Sequence, residues 1–281
     1  MMRVHDVRLH SKGVFVGKSR EFPPRFPGHV YPQNIPIPDD IQPGSPAPWA
    51  EQGIDLDTPV SIQKVLDRLN EVGQTFEAKE LPGDPDEMFA VADARRQPIT
   101  KRSAVLVGLF EQEGDTHVIL TRRSWNLSSH KGEVSFPGGR SDESETPVET
   151  ALRETFEEVG ITPDAVHPVA WLQPIVTFAS GSAIWPVVAM LAEPPTMVTD
   201  PNEVEHAFTI SLRDLLAPGS FVEERWRREP VRPGADGEGY FPIYFYKAPH
   251  DVIWGATARI LTELLCIVTD TPWPERSRVW A

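Results

Sequence analysis

Cysteine is almost absent: Cys266 is the only one in 281 residues. An intrachain disulfide framework is thereby excluded, and a reducing compartment fits. Cys266 itself lies in an apolar helical run, where a thiol behaves as a small buried hydrophobe. Long apolar runs are missing too. No stretch approaches the roughly 18 residues that a membrane-spanning helix requires, and MMRVHDVRLHSKG lacks the apolar core of a signal peptide. A soluble cytoplasmic protein with no membrane partner is the expectation. Positive charge is scarce: the formal net charge is −14, the opposite of a surface that coats nucleic acid, so no nucleic-acid partner is expected. The histidines form no H-E-x-x-H, and neither G-x-S-x-G nor a Walker sequence occurs. No internal repeat is visible.

Proline, by contrast, is abundant and local. Of 29 prolines, nine lie between Pro23 and Pro48, which argues against regular helix or a central strand there. Phe22, Phe26, Tyr31, Ile35, Ile37 and Trp49 are interleaved with them, too much apolar content for a bare linker. Residues 1–57 read as an extended proline-rich arm that lies along its own domain or reaches a neighbouring subunit, as in a homodimer. A partly disordered leader is the alternative. Residues 58–100 read as a helical extension. Thr58 is expected as N-cap and Pro59 at N1, with Ile62, Val65, Leu66 and Leu69 as the buried stripe and Gly73 past the end. A second short helix is expected from Asp84-Pro85 to about Ala94.

From Ser103 the pattern becomes β-branched and apolar. Residues 104–110 (AVLVGLF) and 117–123 (HVILTRR) read as strands joined by the loop EQEGDT. A polar loop, Ser124–Glu133, leads to a short strand over 134–136. Further strands are expected at 166–173, 184–191, 206–210 and 240–246, and a short helical piece at 211–217. A long last helix opens at Asp251, with Ile253, Ala256, Ile260 and Leu264 among its buried positions. Helices on both sides of these strands imply an α/β (α+β mixed) fold, an α-β-α sandwich around a mixed β-sheet. The main domain spans 101–270, followed by an irregular tail, 271–281.

One stretch organises the rest: GRSDESETPVETALRETFEEVGI, residues 139–161. Residues 146–159 read as a helix with Pro147 in its first turn and Gly160 as its stop. At about 100° per residue, Glu154, Glu157 and Glu158 share a face, while Val148, Leu152, Thr155, Phe156 and Val159 take the other and dock on the sheet. Three like charges in that register repel, so a cation is expected among them. Oxygen ligands favour a hard ion such as Mg²⁺ or Mn²⁺. A solvated acidic face is the alternative for an isolated E-x-x-E-E. The full spacing, Gly139, Glu145, Arg153, Glu154, Glu157, Glu158 and Gly160, would arise by chance on the order of once in 10^8 start points.

The stretch resembles the Nudix box, G-x5-E-x7-R-E-U-x-E-E-x-G-U, where U is bulky and apolar. Every fixed position is met; Thr155 stands at the first U and Ile161 at the last. The resemblance implies a Nudix fold and hydrolysis of a nucleoside diphosphate linked to another moiety. It implies divalent metal (Mg²⁺ or Mn²⁺) on Glu154, Glu157, Glu158 and the carbonyl of Gly138, with Glu154 or Glu157 also near the attacking water. Arg153, paired with Glu145, would fix the loop onto the helix, and Gly139 and Gly160 are structural.

Residues 119–140 (ILTRRSWNLSSHKGEVSFPGGR) are similar to the signature L-L-T-x-R-S-x3-R-x3-G-x3-F-P-G-G of the coenzyme A diphosphatase branch. Arg123, Ser124, His130, Gly132 and Phe136 are the substrate-binding candidates that this implies. The chain departs at Ser128, where the signature has arginine, a bidentate phosphate binder that serine cannot replace. Lys131 is close enough in sequence to supply a point charge instead. Glu203 and Glu205, in DPNEVEH, are candidates for a base or an extra ligand from a later loop; solvated loop acids are the alternative. Three readings follow: a coenzyme A diphosphatase, another nucleoside-diphosphate-X diphosphatase acting on ADP-ribose or NADH, and a non-catalytic nucleotide-binding regulatory module.

Overall fold

The computed structural model describes residues 33, 35–76, 101–177, 182–228 and 235–273. The helix expected at 84–94 lies outside them, as do most of the N-terminal arm and residues 274–281 of the tail. In chain order the elements are β1 (Asp40–Pro43), α1 (Ile62–Glu71), β2 (Lys101–Gln112), β3 (Asp115–Arg123), β4 (Val134–Ser135), β5 (Gly138–Arg140) and α2 (Pro147–Val159). A 3-10 turn at Pro163–Ala165 precedes β6 (Val166–Trp171), β7 (Ile175–Thr177), β8 (Ser182–Leu191), β9 (Val204–Ser211) and α3 (Leu212–Leu216). The last are β10 (Phe221–Arg227), β11 (Tyr240–Lys247), β12 (Val252–Trp254) and α4 (Gly255–Val268).

Among the described residues the strands form two sheets. The larger runs β4-β3-β2-β8-β6, with β5 on β2, β7 on β8 and β9 on β3. Only its β2–β8 pairing is parallel, so it is mixed, as expected. Period-2 alternation gives it two apolar faces. Ala104, Leu106 and Phe110 of β2 join Ile119, Val187 and Ala189 under α2. Val107 and Leu109 face the opposite way, into a core shared with Val118, Leu120 and the buried face of α4. That is the α-β-α sandwich.

The second, smaller sheet, β1-β10-β11-β12, is antiparallel and packs into the core on the α4 side. Of its strands the sequence marks β11 alone. Strand β1 comes from the proline-rich arm and occupies the sheet edge, where Pro43 need not donate a ladder hydrogen bond. Trp49, from the same arm, is buried against Phe221 and Tyr246. The described part of the arm thus lies along its own domain.

Several boundaries move. The β2–β3 loop is a tight turn at Glu113-Gly114, both at positive φ (55° and 80°), the geometry that suits strand twist. The first helix starts later than Thr58. Its N-cap is Ser61, whose hydroxyl accepts from the Lys64 N–H, because the Val60 N–H already donates to Asp115. The last helix starts at Gly255 rather than at Asp251. Val252, Ile253 and Trp254 are taken up in pairing with Lys247, Tyr246 and Phe245.

Candidate active site

Helix α2 carries its own start and stop signals. The Thr146 hydroxyl accepts from the Glu149 N–H, and the Glu149 carboxylate accepts from the Thr146 N–H; this reciprocal cap satisfies two orphan donors. Pro147 follows, and Gly160 ends the helix at φ 71°. The docking stripe is Ala151, Thr155, Glu158 and Val159, an i, i+4, i+7, i+8 set. This corrects the expected face: Phe156 turns outward at 51% exposure, and Glu158 turns inward at 2%. Thr155 fits because its hydroxyl donates to the Ala151 carbonyl at 2.6 Å. The acids cluster toward the C-terminal end, where the helix dipole disfavours negative charge by about 0.3–1 kcal/mol each. Their placement costs stability.

Arg153 ties the loop before α2 to the helix. Its Nε and Nη2 donate to the two oxygens of Glu145 at 2.6 and 2.9 Å. Nη2 also donates to the Arg140 carbonyl at 3.1 Å. Its Nη1 reaches Glu154 at 2.9 Å and Glu157 at 3.0 Å. Glu145 further accepts from the Asp142 N–H and the Thr150 hydroxyl. With Arg153 as the main cause, its pKa falls to about 2.

The structure brings together Glu154, Glu158 and Glu203, whose carboxylate oxygens all lie within 4.8 Å of one another. Glu203 arrives because its turn is hooked to the end of α2. The Val198 and Asp200 N–H groups donate to the carbonyls of Val159 and Glu158, and the Glu203 N–H donates to Asp200. Glu157 stands outside this trio, exposed and on Arg153. Glu205 is separated from Glu203 and pairs with Arg122 at 3.4 Å.

Two glycines shape the turn beside the trio. A Cβ on Gly139 would sit 2.4 Å from the Glu154 carboxyl. A Cβ on Gly138 would sit 2.3 Å from the Ala104 carbonyl, and its own N–H donates to Glu158 at 3.2 Å. Burial pushes the Glu158 carboxyl up to about 8, and burial also raises Glu154. Acids gathered and desolvated in this way resist ionising until a cation joins them. An all-oxygen set with a backbone turn against it fits a hard divalent ion.

The upstream loop is fastened to the same place. Arg123 Nη1 lies 3.8 Å from Glu158. The Ser124 N–H donates to the Glu203 carbonyl at 2.8 Å, and its buried hydroxyl accepts from the Asn126 N–H. His130, at φ 55°, is exposed and bonded to Glu133, which raises its pKa. Gly132, at φ 67°, is flush against the Trp125 ring. Ser128 and Lys131 are exposed. Phe136 corrects the sequence reading: at 1% exposure it is packed in the α4-side core, away from any solute. The sequence assigns no role to Arg122 or His206 and marks Asp251 only as a helix start; they gather beside this loop, with Arg122 and His206 3.3 and 3.2 Å from the buried Asp251 carboxylate.

Comparison with known proteins gives a NUDIX domain match over residues 100–230. Nudix hydrolase 3 of Caenorhabditis elegans is 30% identical over 174 residues, 59% of this chain and 72% of its own length. Nudix hydrolase 15, mitochondrial, of Arabidopsis thaliana is 37% identical over 179 residues, 61% of this chain and 60% of its own. The uncharacterized Nudix hydrolase NudL of Pectobacterium atrosepticum is 32% identical over 173 residues, 61% of this chain and 85% of its own. No helix among the described residues is long and apolar enough to cross a membrane.

Proposed function

Because this chain belongs to the Nudix hydrolase family, we propose that it is a cytoplasmic enzyme cleaving the diphosphate of a nucleotide-linked small molecule. Coenzyme A or an acyl derivative is the first choice, giving 3′,5′-ADP and 4′-phosphopantetheine. The observation that carries the reading is the convergence of Glu154, Glu158 and Glu203 beside the Gly138-Gly139 turn. A regulatory module that merely binds nucleotide has no need of such a costly cluster.

Glu154, Glu157 and Glu158, with the Gly138 carbonyl, would hold Mg²⁺ or Mn²⁺. When bound, the ion neutralises diphosphate oxygens and acidifies water. Arg153 keeps the glutamates in register and the loop closed over the helix. Water attacks one phosphorus, the bridging P–O bond breaks, and two phosphomonoesters leave. Glu203 takes the proton from that water. Arg123, already 3.8 Å from Glu158, contacts a phosphate oxygen once a substrate competes for it. In a chain of charge −14, this local positive charge is what admits an anion.

The exposed Ser128, in place of the signature arginine, favours a second reading: ADP-ribose, NADH or a related diphosphate. A panel of coenzyme A, acyl derivatives, ADP-ribose, NADH and diadenosine polyphosphates, with products identified by mass spectrometry, separates the two. S128R is expected to raise kcat/KM for coenzyme A relative to ADP-ribose. An unchanged ratio argues against the coenzyme A branch.

A further inference from the structure

Resting on the hydrolase reading above, we propose that Trp125 is the platform on which the nucleobase of the substrate stacks. Four large hydrophobics are conspicuously exposed among the described residues: Val72, Trp125, Phe156 and Val198. Two are aromatic. Phe156 sits on the outer side of α2, beside Leu152 and Pro163, turned away from the sheet. Trp125, 38% exposed, lies on the loop fastened to the acidic trio. The residue before it donates its N–H to the Glu203 carbonyl at 2.8 Å. The residue before that reaches Glu158. On this proposal, a diphosphate held at the trio extends its nucleoside along this loop to the ring.

The ring is also held ready. A Cβ on Gly132 would lie 2.5 Å from it, so only glycine lets the loop close against the indole. The Arg122 guanidinium lies 5.6 Å from the ring centroid, within the range of a cation–π contact. Arg122 is itself held by ion pairs to Asp251 (3.3 Å) and Glu205 (3.4 Å), and Asp251 is 1% exposed and lies 3.2 Å from His206. A fixed, part-exposed indole loses little conformational freedom on binding. A base face is its natural partner, because every base presents a π-surface. Arg122, Asp251 and Glu205 are positioning residues for that ring.

The test compares two competitive inhibitors of the wild-type enzyme, AMP and base-free ribose 5-phosphate, against W125A, W125L and W125F. W125A and W125L are expected to weaken AMP inhibition and raise substrate KM by roughly 10-fold, with kcat and ribose 5-phosphate inhibition little changed. W125F is expected to recover most of the loss. AMP inhibition unchanged in W125L and W125A overturns the proposal, as does an equal weakening of both inhibitors in every variant. A wild type that hydrolyses nothing in the substrate panel counts against the hydrolase reading instead. In that case AMP binding by calorimetry, wild type against W125L, decides the platform alone.

Discussion

Glu158 and Glu203 are far apart in the chain, yet their carboxylates lie within 4.8 Å of each other. The contact exists because the turn before β9 is hydrogen-bonded to the end of α2. Two acids so placed, one of them 2% exposed, are a standing cost to the fold. Their roles differ in the account given above, and kinetics separate them.

E203Q is expected to lower kcat by roughly 10^2-fold or more with little change in KM, as loss of a group acting at the reacting centre does. E158Q is expected to lower kcat as far, and in addition to require more Mg²⁺ or Mn²⁺ for half-maximal rate. Steady-state rates across a metal titration read both. Wild-type kcat in E203Q would remove the proton-acceptor role.

The glycine pair predicts a contrast. G139A puts a methyl into the Glu154 carboxyl, a side-chain end that swings away. The expected result is a folded protein with metal dependence and rate impaired. G138A meets the Ala104 carbonyl and the Val105 backbone, which cannot yield without breaking the β2–β5 pairing. Its expected result is a clear loss of Tm. Thermal melts and rates for the two variants check the difference.

Acid sensitivity is assigned to Glu145. Its pKa is about 2 in the folded chain against an ordinary 4.5, so its contribution is fully present above the ordinary value. It is lost as pH falls from about 4.5 toward 2. The carboxyl is only partly buried, so solvent screening keeps the effect modest. E145Q is expected to melt below wild type at pH 6, with the gap closing as pH drops. A gap independent of pH would contradict the Arg153–Glu145 assignment.

Much of this was legible in the sequence because the signals were local. The cap at Thr146, the stop at Gly160 and the spacing of the acids all lie within one helix. The β-branched apolar runs of β2 and β3 needed no distant information either. What was not legible depended on which side of a helix the sheet would choose. Spacing put Glu154, Glu157 and Glu158 on one face, but docking through Ala151, Thr155 and Val159 pulls Glu158 inward and leaves Phe156 outside. Strand β10 (FVEERWR) carries charge at its centre, and β1 lies among prolines. Each becomes a strand only because a neighbour supplies its ladder. Phe136 read as a substrate contact because it fills a position of the coenzyme A diphosphatase signature, whereas its burial depends on α4, more than a hundred residues later. The Arg122–Asp251 pair has the same origin.

The most direct measurement is Mn²⁺ binding followed by electron paramagnetic resonance in wild type, E154Q, E158Q and the unrelated surface variant E71Q. Saturable binding is predicted in wild type and E71Q, weakened at least roughly 10-fold, about 1.4 kcal/mol, in E154Q and E158Q. Equal affinity in all four proteins would contradict the assignment of these carboxylates to a divalent ion.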